Sequence, residues 1–191
     1  MSTPMESWPR RHRITADEYH RMAEVGLLAP DARVELIEGE IIEMAPIGMD
    51  HASVVDQLTR LFTRAVGDDA IVRVGGSVRL SSMSEPQPDV VLLKPRADFY
   101  RSRFATGTDT LLVIEVSDST LRYDRDFKVP FYARHLVPEV WIFDLQYDRL
   151  LVFRLPRDGA YADPRALERP QSMDLAALSG LAVDLSGIFA A

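Results

Sequence analysis

The chain contains no cysteine. That excludes disulfides, thiolate metal sites and cysteine nucleophiles, and it agrees with a reducing, cytoplasmic setting. Lysine is nearly absent: Lys94 and Lys128 are the only two among 22 basic residues, the rest being arginine. A mechanism that needs an amine therefore has few candidates. No apolar run approaches the roughly 18 residues of a membrane span. The opening MSTPMESWPRRHR carries charge with no apolar block behind it, so no secretory signal is expected. Neither an internal repeat nor a low-complexity segment is visible. A net charge of −7 counts against a protein that coats nucleic acid through a broad basic face, but not against a local basic patch or a metal ion.

With 191 residues, 47% hydrophobic and 27% charged, the chain has the makings of one globular domain. Residues 1–13 read as a flexible arm and 14–191 as the domain. Thr15-Ala-Asp-Glu18 has the form of a capping box and opens a short helix to about Glu24. RVELIEGEIIEM (33–44) is a hairpin about Glu38-Gly39. Asp50 is placed to cap a helix over 51–66 whose apolar face is Val54, Val55, Leu58, Leu61, Phe62 and Ala65. IVRVGGSVRL (71–80) reads as a bulged strand, followed by strands PDVVLLK (88–94) and LLVIEVS (111–117). A helix over about 123–135 is split by Pro130, and EVWIFDL (139–145) and RLLVFRL (149–155) form a strand pair. Leucines at 175, 178, 181 and 185, with Ile188 and Phe189, close the core through short turns or a helix. The sum is an α/β (α+β) domain.

Two strands carry acids where apolar residues belong. Asp89 begins one, and Glu115 interrupts the aliphatic run LLVIEV of the next. Alternation puts Glu115 with Leu111, Val113 and Ser117, and Asp89 with Val91 and Leu93. If the strands are antiparallel neighbours, the two carboxylates approach on one face, where a shared proton or a divalent cation relieves their repulsion. Each has an ordinary alternative, a turn residue for Asp89 and a solvent-facing edge position for Glu115. Hard oxygen donors favour Mg²⁺, Mn²⁺ or Ca²⁺ over zinc. Lys128, at the start of the helix after the Glu115 strand, can turn back toward both acids to neutralise a phosphoryl group or position a water. His51, in the first turn of its helix, is a candidate for contact with phosphate or with Glu35. Arg122 and Arg125 are placed to hold phosphates, whereas the basic loop Lys94, Arg96, Arg101, Arg103 leaves from the opposite strand end and reads as solvated. No histidine lies near Ser117 or Ser119 to complete a hydrolase triad.

The ordered set PD (88–89), IEVSDST (114–120), Asp124, Lys128, Tyr132 and VPEVWIFD (137–144) resembles the Uma-two family of restriction endonucleases, within the PD-(D/E)XK nuclease superfamily. VELIEGEIIEM, MDHASVVDQL and LSGLAVDLSGIF extend the resemblance over most of the chain. It implies a restriction-endonuclease-like core, a central mixed sheet flanked by helices, with an N-terminal helix and β-hairpin. It implies that Asp89 and Glu115 bind metal, with the Val116 carbonyl as a further ligand. Glu35 is implied as the extra acid, binding directly or through water. The superfamily lysine is replaced by Ser117, and Lys128 takes over its role. Leu136 stands where a glycine is expected to end the helix.

The expected activity is hydrolysis of phosphodiester bonds, in DNA, dependent on Mg²⁺ or Mn²⁺. Asp89, Glu115, Glu35 and Lys128 form the catalytic set, His51, Arg122 and Arg125 contact the nucleic acid, and a two-fold dimer serves double-strand cleavage. A catalytically inactive nuclease fold that binds nucleic acid or a protein partner is the alternative. A phosphohydrolase of small nucleotides is a third reading.

Overall fold

Strand β5 (Thr110–Ser117) is buried at every position. A strand with no exposed face must lie inside a sheet covered on both sides. In the computed structural model, which describes residues 11–189, it does so. β5 pairs antiparallel with β4 (Val90–Leu93) and parallel with β6 (Glu139–Asp144). β3 (Ile71–Val74), β7 (Arg149–Arg157) and β8 (Ala160–Glu168) complete a six-stranded mixed sheet in the order β3-β4-β5-β6-β7-β8. Of the arm read into residues 1–13, residues 1–10 lie outside the described range.

One face of the sheet is covered by α2 (Met49–Val66). Its Val54, Leu58, Phe62 and Val66 pack on Leu112, Ile114, Trp141 and Phe143. The tail joins this layer through Leu175, Leu185 and Phe189, carried on turns and the short pair β9 (Ser172–Asp174) and β10 (Ala182–Asp184) rather than a helix. The other face is covered by the β5–β6 crossover, whose Phe131, Tyr132 and Ala133 pack on Val91, Val113, Val140 and Ile142. A third, small cluster of Ala16, Tyr19 and Leu36 joins α1 (Ala16–Glu24) to the hairpin of β1 (Val34–Ile37) and β2 (Glu40–Glu43).

Local chemistry explains the boundaries. Thr15 Oγ1 accepts the Glu18 N–H at 3.2 Å, and the Glu18 carboxylate accepts the Thr15 N–H at 2.7 Å, which closes the capping box of α1. Glu38 and Gly39 both have positive φ, 49° and 79°, as a two-residue hairpin turn matched to strand twist requires. A Cβ at Gly39 would lie 2.5 Å from that of Arg13, so glycine is needed for space as well as for conformation.

The crossover is irregular. It runs as α3 (Leu121–Tyr123), a π-helical turn (Asp124–Lys128) and α4 (Val129–Arg134). Pro130 has no N–H to continue an α-helical ladder, and the Val129 N–H instead closes on the Asp124 carbonyl, five residues back.

Four expectations are corrected. α2 begins at Met49 behind Gly48, and Asp50 lies within the first turn, where its charge complements the helix dipole, rather than at the cap. IVRVGGSVRL is not one bulged strand: β3 stops at Val74, and Gly75 (φ 57°) turns the chain out of the sheet. Leu111 packs with the α2 layer and not with Val113, because the β4–β5 register shifts between Leu92 and Leu93. β8 was not foreseen: its Asp163-Pro164-Arg165 segment breaks the strand pattern and is tolerated on a sheet edge.

α4 ends in a Schellman motif, with the Val137 N–H on the Tyr132 carbonyl at 3.1 Å and the Leu136 N–H on that of Ala133 at 3.0 Å. Leu136 occupies the left-handed position, with φ 57°, and is 68% exposed. Its strain there exceeds the extra unfolded-state freedom of glycine, and little packing is lost on truncation. Leu136→Gly is therefore expected to stabilise the fold by about 0.5–1 kcal/mol in urea denaturation, and a lowered midpoint would contradict the strain.

Candidate active site

In the β4–β5 ladder Val90 stands opposite Ile114, so one further step sets Asp89 opposite Glu115. Both acids lie on the sheet face that carries Val91 and Val113. Hairpin residue Glu35 comes in from β1, and the crossover brings Lys128 from its π turn. The four line one cleft of about 480 Å³, together with Arg33, His51, Tyr123 and Asp124.

Lys128 Nζ lies 2.8 Å from Glu115 Oε1 and 3.4 Å from Glu35 Oε2. Glu115 Oε1 also accepts the Tyr132 hydroxyl at 2.6 Å. Glu35 Oε2 accepts the Gln87 N–H at 3.1 Å. Asp89 is held at both oxygens: Oδ2 accepts the Val116 N–H at 2.8 Å, and Oδ1 lies 3.1 Å from His51 Nε2. Ser117, where the superfamily pattern has its lysine, donates to Asp124 Oδ2 at 2.7 Å, as does Thr120 at 2.6 Å. The position that would carry a lysine is thus a buried hydroxyl anchoring the crossover, and the ammonium arrives from the helix side.

Burial dominates the electrostatics. It pushes the Glu115 carboxyl up to about 8 from 4.5; Lys128 opposes this, and Asp124, Asp89 and Glu35 reinforce it. Asp124 is raised for the same reason of burial. Burial also disfavours the Lys128 ammonium, but Glu115, Tyr132, Glu35 and Asp124 outweigh it and hold the amine protonated well beyond the usual lysine range. His51 is raised by its bond to Asp89. One buried cation thus faces several acids, which leaves room for further positive charge.

Other expected site residues lie apart. Arg122 and Arg125 are exposed and outside the cleft lining, and Arg125 is paired with Asp126 at 2.6 Å. His51 meets Asp89 and not Glu35. Two of the loop arginines are internally paired, Arg96 with Asp98 and Arg103 with Asp109. Arg33, Tyr123 and the Tyr132 bond were not anticipated. Two signals were available: Arg33 is two strand residues before Glu35, hence on the same face, and Tyr132 is four helix residues after Lys128.

The donors match a hard divalent cation in kind. All are oxygen, from Glu35, Asp89 and Glu115, and the second oxygen of each glutamate receives no hydrogen bond from the described residues. Among the described residues no group of three acidic or histidine side chains is placed to hold a metal, and the Lys128 ammonium bridges Glu115 and Glu35.

A six-stranded mixed sheet with helices on both faces, and acids converging from two adjacent strands, defines a restriction-endonuclease-like α+β fold. The chain belongs to the Uma2 family, described as "Putative restriction endonuclease", which matches residues 16–186. A crystal structure of a "putative nuclease belonging to DUF820" from Anabaena variabilis is similar at a TM-score of 0.68 and 16% identity, over 92% of this chain and 97% of that one. At that identity the likeness concerns the fold. No curated protein matches.

The Glu115 shift has a definite sign. Its native carboxyl holds a proton up to about 8 while the unfolded one loses it near 4.5, so native stability falls as pH rises between these values. His51, also raised, adds a loss of the same sign that is shared by wild type and Glu115 variants. In chelator-containing buffer, Glu115→Gln is expected to lose less stability than wild type between pH 5 and pH 8.5 (roughly spanning that window). Parallel pH profiles in urea denaturation would contradict the assignment.

Proposed function

We propose that the protein is an endonuclease that hydrolyses phosphodiester bonds in DNA and depends on Mg²⁺ or Mn²⁺. The observation that carries this reading is the convergence of Asp89, Glu115, Glu35 and Lys128 in one cleft of a chain from a nuclease-like family. Asp89, Glu115 and Glu35 would hold the cation, with the Val116 carbonyl beside them. When bound, it supplies charge neutralisation at the scissile phosphate and acidifies water.

The chain's own residues supply the rest. Lys128, protonated and fixed between Glu115 and Glu35, is within reach of the same cleft and stabilises the negative charge that develops on the phosphoryl oxygens. Its three N–H bonds are more than Glu115 and Glu35 consume, so one is left for a phosphate oxygen or a water. Arg33, whose guanidinium is tethered to the Ala45 carbonyl at 2.6 Å, offers a second cation at the cleft wall. His51 keeps Asp89 oriented. Cutting both strands of a duplex would take two such sites, hence a two-fold dimer.

A second reading has its own support. Both Asp89 oxygens are engaged and Lys128 bridges the two glutamates, an arrangement that a non-cutting nucleic-acid- or protein-binding member would also tolerate.

Purified protein incubated with single-stranded, duplex and branched DNA decides between them. Cleavage is expected only with Mg²⁺ or Mn²⁺, and Glu115→Ala and Lys128→Ala are each expected to abolish it while remaining folded. Retained cleavage in either folded variant contradicts the assigned roles, and no cleavage by wild type on any of these substrates favours the binding protein.

A further inference from the structure

Two protein donors converge on the same oxygen of Glu115. Oε1 accepts the Tyr132 hydroxyl at 2.6 Å and lies 2.8 Å from Lys128 Nζ, whereas Oε2 accepts no hydrogen bond from the described residues. The asymmetry comes from the crossover. Lys128 ends the π turn and Tyr132 lies one helical turn further on, so both side chains descend from one helix face onto the middle of β5.

Tyr132 itself has no freedom to follow a moving carboxylate. It is 1% exposed, packed in the layer with Val113, Phe131 and Ile142. A hydroxyl carried on a fixed ring is a fixed donor. Lys128, by contrast, ends a flexible stem and divides its ammonium between Glu115 and Glu35. With Lys128 alone, the Glu115 carboxylate can turn about its last torsion and offer both oxygens to the ammonium. With Tyr132 also on Oε1, the plane is set, and Oε2 is the oxygen left for the cleft.

We propose that Tyr132 is a positioning residue for Glu115: its hydroxyl occupies Oε1 and keeps Oε2 for a divalent cation of the Mg²⁺ or Mn²⁺ class. The inference rests on the reading of Glu115 as a metal ligand. Hydrogen bonds of this kind, made to a ligand by a residue that does not itself touch the cation, tune affinity strongly. Asp89 is served in parallel by the Val116 N–H of β5 and by His51. Tyr132 stands out because removing its hydroxyl changes neither charge nor shape.

The test is calorimetric titration of Mn²⁺ into the full chain. Tyr132→Phe is expected to bind Mn²⁺ about 10–100-fold more weakly than wild type. Circular dichroism should confirm that it stays folded, since the ring remains. In cleavage assays the same variant should lower kcat with the KM for DNA unchanged. Tyr161→Phe is the control for a merely structural hydroxyl. It removes a buried bond to the Val137 carbonyl, 2.8 Å long and outside the cleft lining, and should lower the melting temperature with Mn²⁺ affinity intact. A folded Tyr132→Phe that binds Mn²⁺ like wild type overturns the role of Tyr132 and leaves the metal reading standing. A wild type with no Mn²⁺ site that depends on Glu115 overturns both.

Discussion

The Lys128 ammonium, buried between Glu115 and Glu35, is the interaction on which the other parts of the structure depend. At 2.8 and 3.4 Å it lies against two acidic side chains that would otherwise be stranded in the interior without a cation. Removing one partner of such a cluster is expected to cost about 3–5 kcal/mol, because an uncompensated buried charge remains. The three residues come from three separate elements: a central strand, the crossover that returns from it, and the N-terminal hairpin. All three also share one apolar layer, in which Ile37 joins Val113 and Phe131. The ion cluster adds a charged contact among them at the cleft.

How the ammonium gets there is a matter of backbone. Pro130 interrupts the crossover helix, the chain answers with a π turn, and Asp124, Lys128 and Tyr132 end up facing β5 together. Irregular helical turns of this type often lie at functional sites. β5 contributes the complementary half. Its aliphatic neighbours fix the strand between two sheet partners, and a fixed strand holds Glu115 and the Val116 N–H in register with Asp89. Glu115 is therefore an acid held in place by the apolar run around it.

Much of this was legible in the residues, for identifiable reasons. Glu115 announced itself as an acid inside LLVIEV, Lys128 through the scarcity of lysine, and the hairpin through Glu38-Gly39. These are local signals, each carried by a residue type that is costly or rare in its setting. Less visible were features decided by tertiary context. The extent of β8 depends on its being an edge, the end of β3 on a positive φ at Gly75, and the side chosen by Leu111 on a register shift. That Arg125 is engaged by its own neighbour Asp126, and His51 by Asp89 instead of Glu35, depends on side-chain directions that spacing does not give. The pattern pointed to three carboxylates that do share one cleft, and it turned Lys128 toward Asp89 and Glu115, whereas the ammonium lies between Glu115 and Glu35.

In the proposed reaction this bridging has a consequence. An anionic substrate meets a wall of acids, among them Glu43 and Asp118 at the cleft lining, and only Arg33, His51 and Lys128 oppose them. A divalent cation would offset that repulsion and draw Glu115 into its ionised form, so its binding should release a proton. The most direct test is a crystal of the protein soaked in Mn²⁺ and measured for anomalous scattering. A peak at coordination distance from both Asp89 and Glu115, with Tyr132 still bonded to the other Glu115 oxygen, is the predicted result. A well-ordered cleft with no anomalous peak, Lys128 still bridging Glu115 and Glu35, would contradict it.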